Sequence, residues 1–214
     1  MWPAVEKARK LSMPLFRGVG KGRNPAPALL SDDGTRVPGL YIAPSSIPGL
    51  REPGLWSSAK IAPGGLIAIY TGRFVTEDEY ERMPMAEQSA HSTYALELNG
   101  EDVVVLPGGA PDLTVHPAAA ANEPPRGGVA NALADTQEAE VDGVHYVFAA
   151  LFACAAGIPA NTEILWSYGK SYDRRYKAGR VCRGTGHERT PSPDDIVRRV
   201  LASGSRDDAL YVIG

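Results

Sequence analysis

Apolar and polar residues alternate or cluster in short runs along this chain, and the runs read as strands far more often than as helices. Leu66 to Tyr70 (LIAIY) is a short apolar run, Tyr94 to Leu98 alternates, and Val103 to Leu106 reads as a more buried strand. Phe148 to Ala153 is another apolar run; Ile158-Pro159 then opens a bend, and Glu163 to Trp166 resumes apolar character before Tyr168-Gly169. That succession predicts strand, turn, strand, with a tyrosine at the edge of a loop. Residues 24–54 are rich in proline and glycine and predict turns and short extended pieces. Asp112 to Asn131 is a Pro-, Gly- and Ala-rich loop with nothing more regular than short turns.

Helical signals are few. Thr76 can cap a short helix beginning at TEDEY, whose acidic residues suit that end. Ser192-Pro193-Asp194-Asp195 supplies a cap and a proline at the first helical position, and Ile196, Val197, Val200 and Leu201 form one apolar face. No internal repeat is visible. The pattern predicts a mainly β fold with minor helix.

Composition fits one intracellular domain. A chain of 214 residues can bury a sizeable core, and its apolar and charged fractions are ordinary. No apolar run reaches the roughly 20 residues of a membrane span, and no apolar core follows the basic start as in a secretory signal, so a soluble protein is expected. Cys154 and Cys182 are too few for a disulfide framework or a four-thiolate zinc site, and Cys154, inside an apolar run, is expected as an inert packed thiol. His91, His116, His145 and His187 lack metal-ligand spacing, so no metal is expected. The net charge of −3 argues against a general nucleic-acid binder. The exception is a basic arm over residues 1–23, with Lys7, Arg9, Lys10, Arg17, Lys21 and Arg23 against Glu6 alone; the alternative is a solvated tail. Gly18 to Gly22 lacks the spacing of a phosphate loop, and no Gly-x-Ser-x-Gly elbow supports a hydrolase.

Four segments in order resemble the SET-domain family of protein lysine methyltransferases. Gly54-Leu55-Trp56, continuing through Ile61 to Gly64, is similar to the family's first motif, and Leu66 to Gly72 (LIAIYTG) to the strand that follows it. Tyr94 to Leu98 looks like the family's Tyr-x-Phe-Asp-Leu strand, and Ile158 to Gly169 (IPANTEILWSYG) like its last core motif. The resemblance covers residues 38–180. It leaves residues 1–37 as a basic, Pro/Gly-rich leading segment and residues 181–214 as an extension with a short helix. The central motif departs from the family: Ala119 to Pro125, then Asn131-Ala132, keeps counterparts of two asparagines but not of the His-Ser-Cys between them. The PR-type branch also lacks that triplet. Glu52-Pro53 stand where the first motif has a glycine turn.

The resemblance implies several short sheets with a knot-like C-terminal core, in which the last motif meets the Asn122 loop. It implies S-adenosylmethionine as cofactor and a lysine in a protein, a histone tail being the family's commonest acceptor, as substrate; nuclear location follows if the host is eukaryotic and chromatin is the target. Tyr168 would point its hydroxyl into the reaction channel, Trp166 would line that channel, and Tyr94 would add a wall or a cofactor contact. Gly54, Leu55 and Trp56 would lie along the methionine part of the cofactor, Asn122 would anchor its ammonium or the adenine side, and Glu123 and Asn131 would be further cofactor-binding residues. Tyr172 or Tyr176 would cover the adenine. Zinc, which closes the pocket in many relatives, is not expected. Read without the family, Tyr168 and Trp166 are packed rings and Asn122 is a turn residue before Glu-Pro-Pro. A second function stays open: a SET-like module with little or no activity that binds a peptide by strand addition at a sheet edge.

Overall fold

The computed structural model describes residues 28–30, 34–98, 102–105, 112–169, 172, 176–182, 184, 190–204 and 209–213. The basic arm of residues 1–23 and His187 lie outside them. The fold is mainly β, and the described residues form three antiparallel sheets. The first sheet orders β1 (Ala28–Leu29), β2 (Leu40–Pro44), β3 (Pro53–Ser57) and the distant β10 (Thr162–Glu163), which pairs Glu163 with Trp56. Between them in sequence run β4 (Leu66–Ile69) and β5 (Arg73–Thr76), then the helices α1 (Glu77–Arg82) and α2 (Met85–His91). With β6 (Leu96–Leu98) and β7 (Asp102–Val105), β5 forms a small three-stranded sheet in the order β5-β7-β6.

The centre of the molecule is a long hairpin, β8 (Ala132–Val141) and β9 (Val144–Ala153), in register from Ala132 opposite Ala153 to Val141 opposite Val144. Its turn is Asp142-Gly143, with φ of 55° and 76°. Such positive values at both central positions suit the two-residue turn whose twist matches the strands, which is why Asp-Gly sits there. The β4 strand and β11 (Tyr211–Ile213) pair with β9 along its other edge.

Alternation along β9 divides the core in two. Ala149, Leu151 and Ala153 enter a cluster with Leu40, Leu55, Ile67, Ile164 and Trp166, while Phe148, Ala150 and Phe152 face Leu66 and Ile69 on the opposite side. The second face is closed by α3 (Pro193–Ser203), which buries Ile196, Val197 and Val200. Ser192 caps that helix by accepting the Asp195 N–H, and Gly204 ends it in the left-handed conformation. Thr76 and Glu79 make a reciprocal capping box at α1. Since β9 lies between two packed layers, it is buried almost continuously and reads as an apolar run instead of an alternating one.

Several boundaries differ from the sequence expectation. The Tyr94 strand begins at Leu96, because Tyr94 closes the turn after α2 by donating its N–H to His91 O. The apolar stretch Glu163 to Trp166 is strand only to Glu163; Leu165 and Trp166 instead make isolated parallel bridges to Asn122 and Ala132. The loop from Asp112 contains one short 3-10 turn, Pro117–Ala120.

Candidate functional site

The site grows from the segment Glu163 to Tyr168, which is held from both sides by the two asparagine stretches. Asn131 donates its side-chain N–H to Glu163 O at 2.8 Å and accepts Leu165 N–H at 2.9 Å. The backbone adds Asn131 N–H and Ala132 N–H to Leu165 O, and Trp166 N–H to Asn122 O at 3.0 Å. The segment is too short to make a ladder of its own, so these side-chain bonds satisfy its backbone groups.

Glu163 lies at the buried end of this segment, 3% exposed. Its Oε1 accepts the Ser45 hydroxyl at 2.6 Å and Asn122 Nδ2 at 3.1 Å; its Oε2 accepts Ser46 N–H at 2.7 Å and the Ser46 hydroxyl at 2.5 Å. Asn122 Nδ2 also donates to Pro53 O at 3.1 Å. The carboxylate thus joins three separate stretches of chain. Gly54 has no side chain because a Cβ there would stand 2.2 Å from Glu163 Oε1. Leu55, fully buried, gives its carbonyl to Ile164 N–H, and Trp56 stacks on Tyr41 with ring centres 6.2 Å apart.

On the other side of the segment the rings gather. Trp166 meets Tyr168 edge to face at 5.2 Å, Tyr168 meets Tyr172 at 4.8 Å, and Tyr70 leans on Trp166 at 6.5 Å. Trp166 is 8% exposed and donates Nε1–H to Ala121 O at 2.9 Å, so the ring is packed and its polar edge satisfied. Tyr168 donates its hydroxyl to the same carbonyl at 3.2 Å. Tyr70 donates to Tyr94 O at 2.8 Å. The buried Glu123 carboxylate accepts Tyr168 N–H at 2.9 Å and the Tyr176 hydroxyl at 3.1 Å, which ties the tyrosine motif to the segment after it.

Burial sets the protonation of these phenols. It pushes the Tyr168 hydroxyl well above the ordinary tyrosine range, and Tyr172, Tyr176, Tyr70 and Glu123 add to the effect. Tyr70 is raised by burial first and then by Tyr94 and Tyr172. Tyr94 is raised by burial, with Glu52 and Tyr172 contributing. All three remain neutral near pH 7. Having donated its hydrogen to Ala121, the Tyr168 oxygen keeps lone pairs for a positively polarised neighbour, and the ring faces favour the same kind of group.

The structure therefore brings Asn122, Glu123, Asn131, Trp166, Tyr168 and Tyr172 together around one segment, with Tyr94 joined through Tyr70. Gly54, Leu55 and Trp56 adjoin it on the Glu163 side, where Gly54 faces the carboxylate and Leu55 belongs to the core. Ser45 and Ser46 were not singled out by sequence, because nothing local distinguishes two serines in a Pro/Gly-rich loop.

One expectation is corrected. Cys154 is not a free thiol: it pairs with Cys182 in a disulfide, with Cα atoms 6.2 Å apart. The apolar run around Cys154 hid the pairing, since Cys182 reaches it only after the chain has passed the tyrosine motif. Such bonds are more usual in oxidising compartments than in the nucleus or cytosol. Residues 178 and 180 bridge to Pro125 and Val129, so the disulfide fastens a segment that covers the Asn122 loop.

Among the histidines, His116 is buried with Nδ1 2.7 Å from Thr71 Oγ1, His91 is buried, and His145 is exposed beside Glu140. Among the described residues, no group of three or more His, Cys, Asp or Glu side chains is arranged to hold a metal ion, and no helix is long and apolar enough to cross a membrane. At the start of β8, Ala132, Leu133, Ala134, Ser167 and Gly179 line a groove of about 380 Å³. No protein-family model matches the chain, and no curated protein matches it.

Proposed function

We infer that the protein is an S-adenosylmethionine-dependent protein-lysine N-methyltransferase of the SET-domain type. The observation that carries this reading is the Tyr168 hydroxyl: on a half-buried ring, kept neutral, and committed as a donor to Ala121 O, it offers only lone pairs to its remaining surroundings. A sulfonium and a lysine amine are the groups such a site suits.

When bound, S-adenosylmethionine supplies an electrophilic methyl group. The protein's part is to hold and desolvate the acceptor amine. Tyr70, Tyr94, Trp166, Tyr168 and Tyr172 exclude water, which favours the neutral amine that attack requires. The Tyr168 oxygen would orient the amine hydrogens, and ring faces would favour the methylated ammonium left when the N–C bond forms as the cofactor's S–C bond breaks, the sulfur departing as a neutral thioether; the extra proton is lost to solvent once the product leaves the site. Asn122, whose Oδ1 has no hydrogen-bond partner among the described residues, fits the donor hydrogens of the cofactor's ammonium. Glu123 holds Tyr168 and Tyr176 in place by accepting from both. The acceptor is a lysine of a histone or another protein, entering along the groove at β8.

A second reading is a SET-like interaction module without substantial activity. The observation that favours it is β8, which pairs along one edge with β9 and bridges Trp166 through Ala132 along the other, a sheet edge of the kind that receives a peptide strand. Calorimetric titration with S-adenosylmethionine separates the two: no heat and no thermal stabilisation at millimolar cofactor would sink the enzyme. If the cofactor binds, Tyr168→Phe should reduce radiolabelled methyl transfer onto histone or lysate protein by about 100-fold, the scale of losing one positioned polar group at a reacting centre. Cofactor affinity should be unchanged.

A further inference from the structure

Both amide hydrogens of Asn122 are used within the protein. One goes to Pro53 O and one to Glu163 Oε1, each at 3.1 Å. A carbonyl and a carboxylate accept but do not donate, so turning the amide over would set Asn122 Oδ1 against two oxygens. The orientation of the amide is therefore decided by chemistry, and Oδ1 is the atom left for another molecule.

Glu163 is itself unable to swing away. Ser45 holds Oε1 at 2.6 Å, while the Ser46 backbone and hydroxyl hold Oε2 at 2.7 and 2.5 Å. The bare face of Gly54 leaves room for the carboxylate where any Cβ would collide, at 2.2 Å from Oε1 and 2.8 Å from Cδ. On its own strand, Glu163 is anchored by the antiparallel pairing with Trp56 and by Asn131 bonding to its carbonyl. Every restraint on Glu163 is thus transmitted to one amide group, 41 residues earlier in the chain.

We propose that Glu163 is a positioning residue that locks the Asn122 amide with its oxygen outward, so that the site selects a ligand presenting an N–H donor to that oxygen. The identity of that ligand as S-adenosylmethionine, whose amino-acid portion carries an ammonium, rests on the methyltransferase reading; the lock itself does not. Glu163 touches neither cofactor nor acceptor in this scheme. Its effect is felt through Asn122 alone, and so it should alter which ligand is preferred more than how well the protein binds purine nucleosides in general.

Two measurements test this. The first needs no ligand: the Asn122 side-chain amide, identified in a nitrogen-15 spectrum by the signal that Asn122→Ala removes, should exchange its hydrogens with water much more slowly than exposed asparagines do. Exchange as fast as theirs overturns the lock. The second compares S-adenosylmethionine with methylthioadenosine, which keeps the nucleoside and sulfur but lacks the ammonium. In calorimetry, Glu163→Ala should weaken S-adenosylmethionine by about tenfold or more, the worth of one hydrogen bond to a charged group, and leave methylthioadenosine unchanged. Asn122→Ala should behave alike, and the double variant should lose no more than either single one. Equal weakening of both compounds by Glu163→Ala, or none, would show a purely structural role and overturn the proposal. If the wild-type protein binds neither compound, the ligand half of the proposal falls with the methyltransferase reading, and amide exchange in the wild type still decides the lock.

Discussion

The two sides of the segment Glu163 to Tyr168 are built on opposite principles. On the Glu163 side a buried carboxylate receives hydrogen bonds from Ser45, Ser46 and Asn122, two at each oxygen. On the Tyr168 side rings meet edge to face, and the hydroxyls of Tyr70, Tyr168 and Tyr176 each donate to an acceptor within the protein. Directional bonds fix positions to within tenths of an ångström; ring contacts define a shape and leave acceptor lone pairs over. The polar side therefore suits holding a ligand in register, and the aromatic side suits enclosing a cationic centre. Six residues of extended chain suffice to join them because successive side chains of an extended segment leave on opposite sides.

The sharpest way to break this comparison is to disturb the polar side alone. Gly54→Ala drives a methyl group into Glu163, whose carboxylate is pinned and cannot retreat cheaply. The expected cost is about 2–3 kcal/mol of stability, read from the midpoint of urea unfolding, with loss of cofactor binding. A variant as stable as the wild type would mean that the carboxylate is less firmly held than its bonds indicate.

Next in size is the response of the aromatic side to alkali. Tyr70, Tyr94 and Tyr168 have folded-state pKa values raised above the unfolded value, chiefly by burial. The folded state then holds protons that the unfolded state has released, and the stability these groups contribute is present below about pH 10 and lost as pH rises beyond it. Thermal scans should show this contribution intact up to about pH 9 and falling above about pH 10. Tyr70→Phe should flatten the fall. A melting temperature that rises through this range would contradict the assignment.

Tyr168→Phe sharpens the contrast from the side of chemistry. It removes one neutral hydrogen bond to a carbonyl that Trp166 continues to satisfy, and should cost only about 1 kcal/mol in stability while abolishing most transfer. Stability and activity should therefore separate on the aromatic side and fall together on the polar side. The smallest effect serves as the control. Ser192→Ala removes the cap of α3, outside both regions, at about 1 kcal/mol, and should leave cofactor affinity as it is.

How far the chain could be read depended on the distance over which each feature is decided. Thr76 and Ser192 cap the helices expected of them, because a cap and its helix lie within four residues. The 10-residue strands β8 and β9 were legible only in part. The apolar half of β9 stands out, whereas Ala132 to Val141 mixes polar and apolar residues and carries no clear strand pattern. The Asp142-Gly143 pair is the local signal that could have found the hairpin. In the site, Asn122, Asn131 and Tyr168 are legible through resemblance, whereas nothing local to Glu163 signals the bonds it accepts. Ser45 and Ser46 were invisible, because the bond from Ser45 to Glu163 spans 118 residues and leaves no trace at either end.

The sequence by itself determined that this protein is mainly β, where its capped helices begin, and that a tyrosine-rich segment follows an apolar strand. Those properties depend on periodicity and near neighbours, which a linear chain displays. Only the tertiary structure decided that Glu163 would be surrounded by donors, that Trp166 would be a packed wall with its N–H satisfied, that Cys154 would meet Cys182, and which atom of Asn122 would remain available. Each of these is a matter of who stands beside whom across loops of 28 to 118 residues, and no local pattern encodes it.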